Sequence, residues 1–410
     1  ALDILTLLDN KETMPLLWRA ALTEDVNRQC QLVAKAQNNF ALKVRFPNIV
    51  EEVDMLRKLT RHGFAHYLLG CFYYSKKSYD EAVACWSFTL EHMPEFAPAH
   101  RLMGIWAWNK QADFAQAEKS LQRAIELEPG NARLLFERDY LYKINGKSPS
   151  FRLSALEGKI EVALMRDDLI AELLNMWNIQ GETDLAAKIL TERKYHPWEG
   201  GEGKVTGQYL INKQRQAIMA ITQGNLNEAR HVLKSALTYP LNLGEGRLAG
   251  QSDNDIWYLL GWCGEHQGEQ FQAQQDYQEA IKGGSSLDAG RYYNDQPVDY
   301  LFYQAMSFQK LGQVDKAEAM FKSFIDWANT HRHDEVKSDF FAVSLPDLVV
   351  LDSDAQSQHT QHCLFVSALG YLGLGEISKF KQNINELIEI NPSHDKAHLI
   401  TLAFEANLYS

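Results

Sequence analysis

Two loops of the chain repeat one pattern of carboxylates and cations. Residues 197–208 and 240–251 share the frame P-x-x-x-G-E-G-[KR]-x-x-G-Q. The frame places a glutamate, Glu202 or Glu245, two residues before a cation. The cations are Lys204 and Arg247. Such groups bind a polar ligand when they converge, but they also cap helices while the glycines adopt positive φ. The sequence leaves both interpretations open.

A binding role for these loops would use aromatic and charged side chains along one edge of the protein. A third loop keeps Gly290-Arg291 and a polar run, YYNDQP, at 292–297. Carboxylates, a cation and aromatic rings suit a polyhydroxylated ligand or a polar protein surface. The predicted ligand- or partner-binding residues are Trp198, Glu199, Glu202, Lys204, Glu245, Arg247, Tyr293, Asn294 and Asp295.

Catalysis by these loops finds little support in the sequence. Glu199 and Glu202 lie three residues apart, whereas acid–base chemistry on a sugar needs a set separation across a cleft, which loop spacing does not define. The histidines near 331–335 and 359–363 lack a complete ligand set for a metal. We therefore predict no catalytic residue, no cofactor, no metal site and no enzymatic activity of this chain by itself; the activity of a longer protein stays open.

The elements that position the loops are helix pairs with a period near 34 residues. In the clearest unit, Leu69-Gly70 is followed by Ala82, Trp86 and Pro94. Small residues let two helices cross closely, large ones fill the groove between repeats, and proline ends the second helix. The sequence therefore predicts an all-α fold, a tetratricopeptide (TPR)-type helix-turn-helix repeat solenoid. We expect a right-handed superhelix with long inter-repeat loops in the C-terminal half.

Four segments follow from the repeats. Residues 1–60 are predicted as an N-terminal helical cap or degenerate repeats, and 61–194 as TPR-like repeats. Residues 195–393 are predicted as TPR-like repeats with long loops. Residues 394–410 are predicted as a capping helix, which an open array needs to cover its end.

Net charge and cysteine content indicate which classes of partner and which cellular location to expect. The net charge is -12, from 41 basic and 53 acidic residues, and no Lys/Arg run is present. A nucleic-acid or anionic-membrane partner is therefore not expected. The five cysteines are scattered and odd in number, as in reduced thiols of a cytoplasmic protein. We predict a cytoplasmic location.

Several strings resemble one bacterial family. HPWEGGEGKV (196–205), NLGEG (242–246), YYNDQP (292–297) and DFFAVSLPDLVV (339–350) are similar to the C-terminal TPR half of the family called domain of unknown function 5107. RDDL (166–169) and FPNIVEE (46–52) also resemble it, although Asn48-Ile49 departs from the expected step. The resemblance implies a sugar-related setting and an N-terminal β-sandwich, similar to galactose mutarotase, that is missing here. It implies no catalytic residue in this half.

Two functions remain from the sequence. The first is a TPR scaffold for protein–protein or interdomain binding, with another protein or the missing β-sandwich as its partner. The alternative is a carbohydrate-binding or carbohydrate-processing component whose looped edge forms part of a sugar site. An exposed Trp198 in an open cleft would favour the alternative, and a Trp198 packed on a neighbouring helix would favour the scaffold.

Overall fold

The protein is built from α-helices. The computed structural model describes residues 12–248, 250–287, 297–336 and 350–409, and these residues contain no β-strand. The all-α helix-turn-helix fold predicted from the sequence is confirmed. Contacts divide the chain into two compact units, residues 1–138 and 139–410. The four sequence segments are defined by repeat type rather than by compactness, so they stay a prediction.

Unit 1 (1–138) consists of antiparallel helix pairs. Its helices are α1 Thr13–Leu22, α2 Val26–Leu42, α3 Val50–Leu56, α4 Gly63–Ser75, α5 Tyr79–His92, α6 Ala97–Gln111 and α7 Phe114–Leu127. Helix α8, Ala132–Ile144, contains the boundary between the units. Leu17, Ala36 and Leu56 are buried in the core of the first three helices.

Unit 2 (139–410) continues the helix pairs. Its helices are α9 Pro149–Ala155, α10 Ile160–Ala163, α11 Asp167–Gln180, α12 Thr183–Glu192, α13 Lys204–Thr222, α14 Leu226–Ala236, α15 Asn254–His266, α16 Gln270–Ala280, α17 Val298–Lys310, α18 Val314–His331, α19 Ala355–Gly373, α20 Ile377–Ile390 and α21 Asp395–Glu405. A 3-10 turn, Leu241–Leu243, lies in the second copied loop. None of the described helices is long and apolar enough to cross a membrane.

Residues at the helix ends explain where several of these helices begin and end. Asp113 caps α7 by accepting from the Gln116 N–H, and Asn225 caps α14 by accepting from the Glu228 N–H. Such side chains satisfy backbone donors that the first helical turn leaves unpaired. Helix α11 ends at Gly181, whose φ of 84° is left-handed and costs glycine little.

Small residues bring the helices of each pair close together. A Cβ added at Gly70 would lie 2.4 Å from Nε1 of Trp86 and 3.0 Å from the carbonyl oxygen of Ala82. At Gly261 an added Cβ would lie 2.7 Å from the Tyr277 ring. These crossings confirm that small residues let the helices nest, and interiors this dense leave no space for a larger side chain.

The C-terminal helix α21 lies in the segment 394–410, for which the capping helix stays a prediction. The contacts of α21 are not limited to the last repeat. Asp395 accepts from Nε2 of Gln208 in α13 at 2.8 Å, and Lys396 pairs with Asp299 of α17 at 2.8 Å. Beyond α21, the Leu408 carbonyl accepts from Tyr258 Oη of α15 at 2.7 Å.

Two buried carboxylates give one reason for the position of α21. Asp255 and Asp299, at the starts of α15 and α17, are both buried, and a buried carboxylate requires a cation nearby. Lys396 lies 4.0 Å from Asp255 and 2.8 Å from Asp299. Burial raises the pKa of Asp255 to about 7, although Lys396 opposes the shift. The helix therefore supplies the cation that the first helices of two repeats need.

Candidate functional site

The two copied loops lie against each other. Asn242 in the second loop donates from Nδ2 to the carbonyl oxygens of Leu190 and Arg193, each at 2.7 Å. The Tyr195 N–H in turn donates to the Asn242 carbonyl at 2.8 Å. Hydrogen bonds through one asparagine thus join the loop after α14 to the last turn of α12 and to the loop that follows it.

Glu245 caps a helix, as the structural interpretation of the frame predicts, but not the helix that follows it. Its carboxylate accepts from the Gly203 N–H at 3.0 Å and from the Thr206 hydroxyl at 3.1 Å. Both donors belong to the start of α13, which precedes Glu245 in the chain. A carboxylate is stabilised there because the unpaired N–H groups give a helix start partial positive charge. Glu245 is therefore engaged within the protein.

Arg247 braces its own loop. Its guanidinium donates to the Gln251 carbonyl at 2.9 Å and forms an ion pair with Asp253. The Asp253 residue is 1% exposed, so this carboxylate depends on the arginine for charge compensation. Burial raises the pKa of Asp253, and Arg247 acts in the opposite direction.

Trp198 folds back on its own loop. Its ring covers the Gly201 backbone so closely that a Cβ at Gly201 would lie 1.9 Å from Cε2 of the ring. The side chain is half-buried. Trp198 is thus not fully exposed in an open cleft, and its ring covers the backbone of its own loop. Glu199 and Glu202 beside it are exposed.

Large apolar side chains stand on the surface of the second loop. Leu241 is 98% exposed and Leu248 is 65% exposed. We call residues 195–203 and 240–248 the looped edge. The leucines occupy variable positions of the shared frame, so the pattern of glycines and charges did not single them out. Only the structure shows that these leucines are exposed on a loop that hydrogen bonds hold in place.

Three predicted residues lie outside the described residues. Tyr293, Asn294 and Asp295 belong to the third loop, between α16 and α17 in the sequence. The described candidates divide into two groups. Trp198, Glu199, Glu202, Glu245 and Arg247 belong to the looped edge, while Lys204 starts helix α13 and lines a cleft.

The cleft beside Lys204 has a volume of about 470 Å³ and polar walls. It is formed by α8, α11, α13, the start of α19 and the turn between α20 and α21. The protein around Lys204 desolvates its ammonium group and lowers its pKa, although Glu172 acts in the opposite direction. Residues from such distant parts of the sequence share no spacing, so only Lys204 of this cleft was predicted.

A buried ion cluster supports one wall of the cleft. Arg152 donates to Asp139 at 3.0 and 2.6 Å and to Glu172 at 2.9 Å. Lys143 donates to Glu172 at 2.7 Å. Burial would raise the pKa of Glu172, but Lys143 and Arg152 outweigh it and lower the pKa to about 2. Glu172 is therefore an ionised, fully paired carboxylate rather than a general acid.

Known proteins provide one family match and two structural similarities. A family model described as a tetratricopeptide repeat matches residues 299–326, within the pair α17–α18. A chain of the Naa15/Naa10 complex bound to HypK-THB matches at 13% identity and a TM-score of 0.36, over 96% of this chain and 63% of that chain. The human IFIT1 dimer with PPP-AAAA matches at 12% identity and a TM-score of 0.31, over 93% and 95%.

This chain thus spans 63% of the length of its match in the Naa15/Naa10 complex. Both solved structures are under 25% identical to it, and neither similarity is extended to function. The family match, by contrast, falls on a helix pair whose Ala305, Phe308, Ala317 and Phe321 are all buried. The chain therefore contains a tetratricopeptide repeat within an all-α series of helix pairs.

Proposed function

We propose that the chain is a helical repeat scaffold that binds another protein through its looped edge. The observation that carries the proposal is Leu241, a large apolar side chain that is 98% exposed. It follows directly on a proline and precedes Asn242, whose hydrogen bonds hold the loop in place. A pre-ordered loop loses little entropy on binding, which favours recognition of a partner.

Leu241 and Leu248 give the edge two exposed apolar side chains. Burying a leucine contributes roughly 1.5–3 kcal/mol relative to leaving it in water. Glu199 and Glu202, which are also exposed, add polar groups to the same looped edge. An apolar centre with a polar rim is the usual anatomy of a protein–protein interface.

A protein partner fits this edge better than a carbohydrate does. Glu245 and Arg247, two of the groups suited to sugar hydroxyls, are engaged with helix α13 and with Asp253. The Trp198 ring covers Gly201 and is half-buried, while the leucines offer no hydrogen bonds. The partner proposed is a β-sandwich domain of the kind found in domain of unknown function 5107, the family that the chain resembles.

The test is direct binding in solution. A β-sandwich domain from a member of that family would be titrated with this chain by isothermal calorimetry. We expect association, and we expect Leu241→Ser combined with Leu248→Ser to raise the Kd at least tenfold, since truncating interface centres commonly costs 1–2 kcal/mol or more.

Phe271→Ser supplies the matched control. Phe271 is 75% exposed but starts helix α16, outside the looped edge, so this variant should bind like the parent chain. Absence of association at high micromolar concentration would exclude the β-sandwich as partner. Equal weakening by Phe271→Ser would exclude the looped edge as the binding surface.

A further inference from the structure

The contact between α21 and the starts of α15 and α17 contains two buried carboxylates and one cation. Asp255 is 0% exposed and Asp299 is 3% exposed. The Lys396 ammonium lies 2.8 Å from the Asp299 carboxylate and 4.0 Å from that of Asp255. Among the described residues, no other basic side chain forms an ion pair with either carboxylate. When both carboxyl groups are ionised, the cluster therefore has one buried negative charge that no cation compensates.

Hydrogen bonds hold Asp255 in this cluster but do not replace the missing cation. Gln214 of α13 donates from Nε2 to Asp255 Oδ2 at 2.9 Å, and the Ile256 N–H donates to Oδ1 at 2.9 Å. A buried carboxylate without an ion partner is strongly destabilising, so such a group retains a proton instead. Asp255 is the group that retains it, because Lys396 lies closer to Asp299. Burial accordingly raises the pKa of Asp255 to about 7, against the effect of Lys396.

The other titratable groups that face the cluster do not supply the missing charge. Asp253, just before α15, adds negative charge near Asp255, and Asp395 acts on Lys396 in the same sense. Burial lowers the pKa of His394, so this imidazole is neutral near pH 7. Burial raises the pKa of the neighbouring tyrosines, which are neutral there as well: Tyr239, Tyr300, Tyr303 and Tyr409.

We propose that Asp255, Asp299 and Lys396 form a proton-operated latch that holds residues 395–409 against α15 and α17. With a proton on Asp255, the Asp299 carboxylate and the Lys396 ammonium balance each other, and the segment is docked firmly. Without that proton, the docked state contains an uncompensated buried charge, whereas release of the segment lets water reach Asp255. The docked state therefore weakens as pH rises through neutrality. The inference goes beyond the scaffold role and does not depend on it.

The direction of this pH dependence identifies the group that causes it. The pKa of Asp255 in the docked state, about 7, exceeds the value of about 3.9 for an aspartate in water. The docked state therefore binds more protons between these values and loses stability as pH rises. His394 has a lowered pKa, so its titration stabilises the docked state as pH rises. A loss of docking toward alkaline pH thus cannot come from His394.

Hydrogen exchange of the full chain would measure the latch. Release breaks the hydrogen bonds from Tyr258 to the Leu408 carbonyl and between Tyr303 and Tyr409, and it exposes the amides of α21. After correction for the intrinsic exchange rate, protection of residues 395–409 should fall at least about tenfold between pH 5.5 and pH 8.5. Helix α12 of the same unit should change less than threefold. A fall below threefold in 395–409, or an equal fall in α12, would overturn the proposal.

Isosteric variants assign the effect to the cluster. Asp255→Asn still accepts from Gln214 but does not titrate, so the fall in protection should disappear. Asp299→Asn leaves one carboxylate for one lysine, so Asp255 ionises at lower pH and the fall should shrink to less than threefold. Asp315→Asn, at an exposed aspartate in the first turn of α18, should retain the full effect.

The two cluster variants keep the test decisive if one of them does not fold. Should Asp255→Asn fail to fold, Asp299→Asn decides the same point, because it removes the excess charge and leaves the Asp255 carboxyl in place. A tenfold fall that persists in either folded variant would overturn the latch, and so would its loss in Asp315→Asn.

Discussion

The loops at 197–208 and 240–251 share six identical positions and one conserved positive charge, yet they fold differently. In the first, helix α13 begins at Lys204; in the second, Arg247 precedes the next helix, α15, by seven residues. Glu202 is exposed, whereas its counterpart Glu245 caps α13. The comparison shows that the second loop supplies the accepting carboxylate, Glu245. The first loop supplies the donors, the Gly203 N–H and the Thr206 hydroxyl.

The glycines of the two loops provide the largest expected difference. Gly244 has a φ of 81°, and an added Cβ would lie 2.7 Å from the Tyr195 carbonyl oxygen. Gly244→Ala should lower the free energy of unfolding by about 3 kcal/mol, from left-handed strain and a backbone clash. At its counterpart Gly201, the three atoms nearest to an added Cβ all belong to the Trp198 ring. This ring can move, so Gly201→Ala should cost about 1 kcal/mol or less. Urea denaturation would measure both, and equal losses would contradict the comparison.

The cations provide the second difference. Arg247→Gln leaves the buried Asp253 carboxylate without its ion pair, so we expect a loss of about 2 kcal/mol near pH 8. Lys204→Gln, at an exposed side chain without an ion pair, should change stability by less than about 0.5 kcal/mol. Chemical denaturation at fixed pH would measure both.

The pH dependence tests the cause of this loss. Burial raises the pKa of Asp253 in the folded protein above its unfolded value, and removing Arg247 raises it further. The folded state then retains a proton that the unfolded state releases, so stability falls as pH rises through this interval. Arg247→Gln should therefore cost less at pH 5 than at pH 8. A loss that is equal at both values would show that Arg247 does not act through Asp253.

The glutamates provide the smallest difference. Glu245→Ala removes the acceptor of the Gly203 N–H and the Thr206 hydroxyl, and should cost about 1 kcal/mol, as loss of a helix cap does. Glu202→Ala should cost less than about 0.5 kcal/mol, because this side chain is exposed. Thermal unfolding at low and high salt would measure both. The opposite ranking would mean that Glu202 carries the cap.

The helix pairs could be predicted because their causes are local and periodic. Leu69-Gly70, Ala82 and Trp86 recur at fixed spacing, and the same residues meet in the folded pair. For the loops, the sequence predicted that a glutamate caps a helix. Glu245 does cap a helix, but it is the preceding α13 and not the helix that follows. The helix that Glu245 caps lies 41 residues earlier in the chain at its start, a separation that no local pattern encodes.

The cleft could not be predicted for the same reason. Asn175, Lys204 and Ser393 come from three distant segments that meet only after the helix pairs and α21 have packed. The exposure of Leu241 could not be predicted either, because the sequence pattern does not distinguish an exposed leucine in a loop from a buried one. Lys204 was singled out only because it belongs to the repeated frame.

The sequence by itself determined that this protein is an all-α series of helix pairs, because a small residue facing a large one at each interval permits only that nesting. Only the tertiary structure decided which of the two copied glutamates is engaged and where α21 lies. Those outcomes depend on charges and backbone donors that are far apart in the chain. Electrostatic partners are chosen by distance in space, which a repeating sequence does not record.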